Sequence, residues 1–270
     1  MAEKSPMTSK MKNVVSYYDC SDDDDNYYYS DSENEVDISL DKLNLGAKKK
    51  LLVLPLGGFL VHRVHVRNEA SVRGYKPDYV HGKFLIFKRS FSSDFLKFCF
   101  ERFEVGIWSS AREHNVDAAL SALCGPMIRK FAFIFDQEDC TDSGFSSLEN
   151  ENKPIFLKEL RKIWENVHND VSWRKGQYSS SNTLLICEPT KAPILYPNTF
   201  ISLSDYKVDN GDDDSFLGSK GELRAFLDKL VDAEDVPTFV KGHPFGQPAI
   251  TTQHPDWDYY SKIVGKFSQD

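Results

Sequence analysis

The residues that could carry chemistry stand at the ends of short apolar runs. Leu51-Leu52-Val53-Leu54 is such a run, and Pro55-Leu56-Gly57-Gly58 follows it. In an open α/β sheet, ligands bind beyond the carboxyl ends of the strands, so an enzyme of this architecture is expected to place a carboxylate, hydroxyl or thiol in this turn. Proline and glycine supply none of these groups. The turn therefore predicts an enzyme-like scaffold whose reactive position is empty.

Later positions in the chain do carry functional groups. Ser109 and Cys187-Glu188 each follow a predicted strand, and Lys158 stands near the start of a predicted helix. Because the helix dipole disfavours a cation at that end, Lys158 favours a site residue over a solvated surface lysine. Ser109 has a helix N-cap as its alternative role. We interpret Cys187 as a small packed residue and Glu188, taken alone, as a solvated acid.

From Lys48 onward, strand and helix patterns alternate. Short apolar strands separated by amphipathic helices predict a parallel sheet with right-handed crossovers. The fold class is therefore α/β, a three-layer sandwich around a Rossmann-like sheet. Strands are predicted at 51–54, 82–89, 103–108, 131–135, 183–186 and 198–201, and helices at 92–103 (capped by Ser92 or Ser93), 112–123, 156–168 and 221–231. Residues 136–153 show no helical period and predict a small polar insertion.

Charge divides the chain into three predicted segments. Residues 1–47 form an acidic, low-complexity segment that we expect to be disordered; eleven acids and three lysines within 1–41 account for the whole net charge of −8. A docking or phosphorylation segment is the alternative. Residues 48–235 form the domain, and 236–270 a tail with prolines and aromatics packed on it. Since residues 42–270 sum to zero charge, direct nucleic-acid binding is not expected.

Several classes of protein are disfavoured by composition. The five cysteines contain no CxxC pair, which suits a reducing compartment and argues against a cysteine metal site. The histidines lack metal-ligand spacing. No stretch approaches 18 apolar residues, so no membrane span is expected in this chain. The N-terminus lacks an apolar signal core, and its acidity disfavours a mitochondrial transit peptide.

Long segments of the chain resemble one enzyme family. LLVLPLGGFLVHR, RSFSSDFLKFCFERFEVGIWSSAREHNV and TLLICEPTKAPILYPNTFI are similar to the plant branch of the phosphatases that act on the C-terminal domain of RNA polymerase II. These NLI-interacting-factor-like proteins belong to the haloacid-dehalogenase-like superfamily. The presequence receptor of the mitochondrial inner-membrane translocase shares their domain. The resemblance covers roughly residues 48–265.

This resemblance assigns a role to each position above. It implies an aspartate nucleophile and a second acid where this chain has Pro55 and Gly57. Ser109 and Lys158 match the groups that hold the transferring phosphoryl oxygens, and Arg89 matches an arginine of the family. The paired metal-binding acids correspond to Cys187-Glu188, which leaves the single carboxylate of Glu188.

The resemblance therefore implies a pseudophosphatase rather than an enzyme. We expect a remnant anion site at Ser109, Lys158 and Arg89 that binds a protein or phosphopeptide partner, in the nucleus or cytoplasm. No cofactor is expected, and the missing acids disfavour Mg²⁺ binding. The alternatives are a component similar to the mitochondrial import receptor and an active Mg²⁺-dependent serine phosphatase with atypical residues. The sequence indicates no oligomeric state.

Overall fold

The structure is a computed structural model that describes residues 48–167, 171–188, 195–196, 198–210 and 214–267. The predicted acidic segment 1–47 lies outside these residues. Five parallel strands form the central sheet: β1 (Leu51–Leu54), β5 (Glu104–Trp108), β6 (Phe133–Phe135), β9 (Thr183–Cys187) and β10 (Phe200–Ser202). Their order in the sheet is β10-β9-β1-β5-β6. The predicted α/β class with a parallel sheet is confirmed.

Side chains of the sheet alternate between two apolar cores, one on each face. Leu52 and Leu54 of β1 pack into one core, whereas Leu51 and Val53 pack into the other. All four are fully buried, and burial of such a side chain stabilises the fold by about 1.5–3 kcal/mol. This explains why the run is continuously apolar, since a strand covered on both faces has no solvent side.

Helices cover both faces of the sheet and complete the three layers. The helices are α1 (Ser92–Arg102), α2 (Glu113–Cys124), α3 (Arg161–Trp164), α4 (Glu222–Val231), α5 (Val236–Gly242) and α6 (Trp257–Phe267). Residues from α1, α2, α4 and α5 join the first core, and α3 contributes Ile163 to the second. Short 3-10 helices lie at Val66–Val72, Gly125–Lys130, Ser180–Asn182 and Val208–Asn210. No helix of the described residues has the length and apolarity needed to cross a bilayer.

Two smaller sheets are antiparallel. The chain between β1 and α1 forms one of them, from strands β2 (Val61–His65), β3 (Tyr79–His81) and β4 (Phe84–Lys88). Their order in the sheet is β2-β4-β3. Strands β7 (Thr141–Ser147) and β8 (Asn150–Leu157) form a hairpin with an irregular register. The predicted polar insertion 136–153 is therefore mostly β-hairpin.

The predicted helix 156–168 is wrong over most of its length. Phe156 and Leu157 belong to β8, and only α3, a helix of four residues, follows. Val167, predicted to face inward, is 58% exposed. Leu157 instead packs with Ile263 of α6, so a contact with a helix a hundred residues later decides the conformation of this apolar run.

The predicted cap of α1 is also wrong. Phe91 occupies the N-cap position, with a left-handed φ of 62° and no side-chain cap hydrogen bond. Ser92 is buried, and the Ser93 hydroxyl donates to the Leu123 carbonyl oxygen of α2 at 2.8 Å. The two serines therefore serve packing between helices rather than the first turn of α1.

Candidate functional site

A cavity of about 280 Å³ opens at the carboxyl ends of β1, β5 and β9. The chain order of the strands changes direction at β1, and ligands of open α/β sheets bind at such switch points. We refer to it as the strand-end cavity. The described residues that line it are Pro55–Gly58, Val61–Arg63, Trp108–Ala111, Asn115, Ala119, Lys158, Glu188 and Asp205–Lys207.

The turn after β1 forms one wall of the strand-end cavity. The Tyr206 N–H donates to the Gly58 carbonyl oxygen at 2.6 Å. Gly58 has a φ of 74°, and a Cβ there would lie 2.9 Å from Asp205 Oδ1, so glycine is the residue that fits without strain. A Cβ at Gly57 would meet no atom of the described part of the chain within 4 Å. This wall has a fixed backbone, and Pro55 and Gly57 give it no reactive side chain.

Ser109 lines the same cavity directly after β5, the strand that pairs with β1. Its N–H donates to the Phe135 carbonyl oxygen at 2.9 Å, which continues the pairing of β5 with β6. Its hydroxyl oxygen accepts the Ala111 N–H at 3.1 Å, whereas the N-cap of α2 is Arg112. Ser109 therefore braces the loop before α2 without capping the helix, and its O–H proton remains a donor at the cavity.

Lys158 reaches the cavity from the end of the hairpin. It directly follows β8 rather than starting a helix, so the dipole argument made from the sequence does not apply to it. Lys158 is only 8% exposed. Burial raises the pKa of the neighbouring Cys140 thiol, and the positive charge of Lys158 opposes this rise. An ammonium group this buried is stabilised where it meets negative charge, which suits the wall of an anion site.

Arg63 is a cavity residue that the sequence reasoning missed. It lies on β2, and its guanidinium carbon stands 4.5 Å from the centroid of the Phe84 ring. Its Nη1 is shielded from solvent and has no hydrogen-bond partner among the described residues, and burial lowers the pKa of the guanidinium. Alternation along β2 could have placed Arg63 beside the predicted turn, but the pairing of β2 with β4 is not visible in the sequence.

His62, next to Arg63 in the lining of the strand-end cavity, is held in one tautomer. The Val208 N–H donates to His62 Nδ1 at 3.1 Å, so the proton of the neutral ring is on Nε2. Burial lowers the pKa of His62, the charge of Lys207 lowers it further, and that of Asp209 opposes both. The neutral ring is therefore favoured near pH 7, with its N–H as a further donor.

Arg89 does not belong to the strand-end cavity. Its Nε and Nη2 bond to the two carboxylate oxygens of Asp214, at 2.5 and 3.2 Å. The guanidinium lies between the Tyr206 and Phe216 rings, at 5.0 and 4.8 Å from their centroids. The structure thus corrects the predicted anion site, since Arg89 is engaged by a carboxylate in a neighbouring groove.

The residues that end β9 point in different directions. Cys187 is buried in the second core, and its thiol lies 3.6 Å from the Ile201 carbonyl oxygen. Glu188 lines the strand-end cavity. The structure agrees with the interpretation of Cys187 as a packed residue, and it places Glu188 at the site instead of in bulk solvent.

The carboxylates of the cavity lie among cations. Glu188 and Asp205 share the lining with the cations Arg63, Lys158 and Lys207, which oppose a divalent cation. Asp205 and Lys207 were also missed from the sequence, because they follow β10 with no recognisable motif. Within the described ranges, no group of three or more His, Cys, Asp or Glu side chains is placed to hold a metal ion. The residues present do not fit the Mg²⁺ that the resemblance implies.

Two solved phosphatase structures resemble the structure of this chain. One is the structure of Fcp1, an essential RNA polymerase II CTD phosphatase, with 15% identity and a TM-score of 0.39. The other is a fission yeast Fcp1 variant bound to beryllium fluoride, with 14% identity and the same TM-score. Each match covers 81% of this chain and 62% of the other. The placement of the site rests on the geometry above.

Sequence comparison assigns the family. An uncharacterised FCP1 homology domain-containing protein of Schizosaccharomyces pombe is 28% identical over 159 residues, which cover 58% of this chain and 62% of that protein. The chain thus spans about three fifths of that relative. The model of the NLI interacting factor-like phosphatase family matches residues 50–237, well over half of the sequence. The chain therefore belongs to the NLI interacting factor-like phosphatase family.

Proposed function

We propose that this chain is a non-catalytic member of its family that binds a phosphoserine peptide of a partner protein in the strand-end cavity. One observation carries the proposal: Ser109, Lys158 and Arg63 line the same cavity as Pro55 and Gly57. A hydroxyl and two cations can hold phosphate oxygens by charge-assisted hydrogen bonds. Pro55 and Gly57 supply no group that could attack the phosphorus.

The large rate contribution of a covalent nucleophile, which Pro55 cannot supply, supports binding over turnover. Loss of a covalent nucleophile can cost on the order of 10⁶-fold in rate, or about 8 kcal/mol of barrier. In this proposal the aspartate position is Pro55, the acid/base position is Gly57, and Cys187 faces the core. Contacts from Ser109 and Lys158 stabilise a bound phosphate but supply no leaving-group chemistry.

An active phosphatase with atypical residues is the second candidate, and the family match favours it. Glu188 and Asp205 are the carboxylates at the cavity that could serve it. Turnover of an aryl phosphate with Mg²⁺ tests this function directly. Activity that disappears in Glu188→Gln or Asp205→Asn would replace our proposal; activity that survives both variants would indicate a contaminant.

Calorimetric titration with phosphoserine peptides tests the binding function. We expect wild-type protein to bind them and Lys158→Met to weaken binding by roughly 10–100-fold, because a hydrogen bond to a charged group contributes about 1.5–3 kcal/mol. Lys97→Met is the matched control, since Lys97 is exposed on α1. Equal affinity of both variants would refute the proposed site.

The partner is proposed to be a nuclear or cytoplasmic phosphoprotein. A role like that of the mitochondrial import receptor is the alternative. Imaging of the tagged full chain separates the two, because a chain confined to mitochondria would exclude the nuclear and cytoplasmic assignment.

A further inference from the structure

A second groove adjoins the strand-end cavity and has opposite chemistry. It has a volume of about 500 Å³ and is lined by Arg89, the segment 203–206, Phe216, Glu222 and the segment 244–247. We refer to it as the aromatic groove. Asp205 and Tyr206 line both spaces, so a ligand in one space lies next to the other.

The aromatic groove is built to hold positive charge. Arg89 already lies between Tyr206 and Phe216, and Asp214 neutralises its guanidinium. Glu222 is an exposed carboxylate of the same groove, in the first turn of α4. Aromatic faces attract cations, and a carboxylate beside them adds a charge-assisted hydrogen bond. A further lysine or arginine side chain fits this combination.

The far wall of the aromatic groove is fixed by backbone contacts. The Gln247 N–H donates to the Ser202 carbonyl oxygen of β10 at 2.6 Å, which forms an antiparallel bridge. A Cβ at Gly246 would lie 2.1 Å from the same oxygen, and the φ of 81° is one that glycine adopts readily. Phe245 is thereby held over the groove against Phe226, with ring centroids 4.8 Å apart. The groove therefore exists before a ligand arrives.

We propose that the aromatic groove binds a lysine or arginine side chain of the same peptide whose phosphoserine occupies the strand-end cavity. This inference rests on the proposed function. The strand-end cavity presents Arg63, Lys158 and Lys207 to the phosphate, whereas the groove presents Glu222 to the basic side chain. An extended residue spans about 3.3 Å, so a basic residue within four positions of the phosphoserine can cross the wall formed by Asp205 and Tyr206.

A peptide series tests this two-part site. Each peptide carries one phosphoserine and one arginine, placed one to four residues before or after it, and an alanine peptide is the reference. We expect one or two positions to raise affinity about tenfold over alanine, the scale of a partly desolvated cation–π contact with a carboxylate. Glu222→Gln should remove most of this gain while changing affinity for the alanine peptide less than about twofold. Glu234→Gln, an exposed acid elsewhere, should keep the gain.

The outcomes separate the two proposals. If the alanine peptide binds through Lys158 but arginine adds nothing at any position, the groove proposal is overturned and the phosphopeptide site stands. An equal gain at every position, or a gain that survives Glu222→Gln, reflects general charge attraction and also overturns it. If no phosphopeptide binds, the proposed function fails and the two-part site fails with it.

Discussion

Two parts of the lining of the strand-end cavity differ in their chemistry. The wall after β1 keeps a defined backbone, because Gly58 fits against Asp205, but Pro55 and Gly57 offer no reactive side chain. Ser109 and Lys158 form another part of the lining, with polar and charged groups. A site that only binds an anion needs groups such as Ser109 and Lys158. An active site also needs a reactive side chain in the turn after β1. Under the proposed function, the comparison teaches that the parts of a phosphatase site that bind can persist without the parts that react.

The largest expected effect comes from making the empty wall acidic. Pro55→Asp combined with Gly57→Asp adds two carboxylates to Glu188 and Asp205, and the open space at Gly57 accepts the new side chain. We expect phosphopeptide affinity to fall by about 100-fold or more through like-charge repulsion, and Mg²⁺ binding to appear. Calorimetry with MgCl₂ and with the peptide measures both. Cys187 is left unchanged because it faces the core.

The matched control for that variant is Pro55→Asn with Gly57→Asn, which adds similar volume without charge. It should keep phosphopeptide affinity within a few-fold and gain no Mg²⁺ site. Wild-type affinity in the doubly acidic variant would mean that the peptide binds elsewhere. Loss of peptide binding without Mg²⁺ binding would mean that the turn no longer has a catalytic geometry.

An effect of intermediate size is expected in the cationic wall. Arg63→Met should weaken phosphopeptide binding about tenfold, since one charge-assisted contact is lost. Stability should not fall: the buried Nη1 without a partner costs about 1–3 kcal/mol, and the lost cation–π contact with Phe84 is worth about 0.5–1 kcal/mol. Denaturant unfolding and calorimetry measure the two effects. Arg67→Met, at an exposed position nearby, is the control. A lower free energy of unfolding in Arg63→Met than in wild type would contradict this account.

The smallest effect concerns the shape of the empty wall. Gly58→Ala should destabilise the fold by about 1–2 kcal/mol, because alanine at a φ of 74° is strained and its Cβ would approach Asp205 Oδ1. Gly57→Ala meets open space and should stay within about 0.5 kcal/mol of wild type. Thermal unfolding of the pair measures the difference. Equal stability of the two variants would show that the turn is not held in a fixed conformation.

Local pattern predicted the sheet better than it predicted the site. Leu51–Leu54 is continuously apolar, and the structure buries it at the sheet centre. Ser109 and Lys158 were assigned by resemblance and do meet at one cavity. Arg63 was missed and Arg89 misplaced for the same physical reason: the partner of Arg89 is Asp214, 125 residues later, and long-range pairing leaves no local signal.

The hairpin that carries Lys158 is held in place by α6. The Lys266 ammonium donates to the Ser143 carbonyl oxygen at 2.8 Å, and the Tyr259 hydroxyl donates to that of Ser146. Chains are made from the N-terminus onward, so β1 and β5 leave the ribosome long before this helix does. The helix that holds the hairpin beside Lys158 is therefore among the last elements to be synthesised. A nascent chain halted before Trp257 would carry its parallel strands beside a hairpin that lacks its hydrogen bonds from α6.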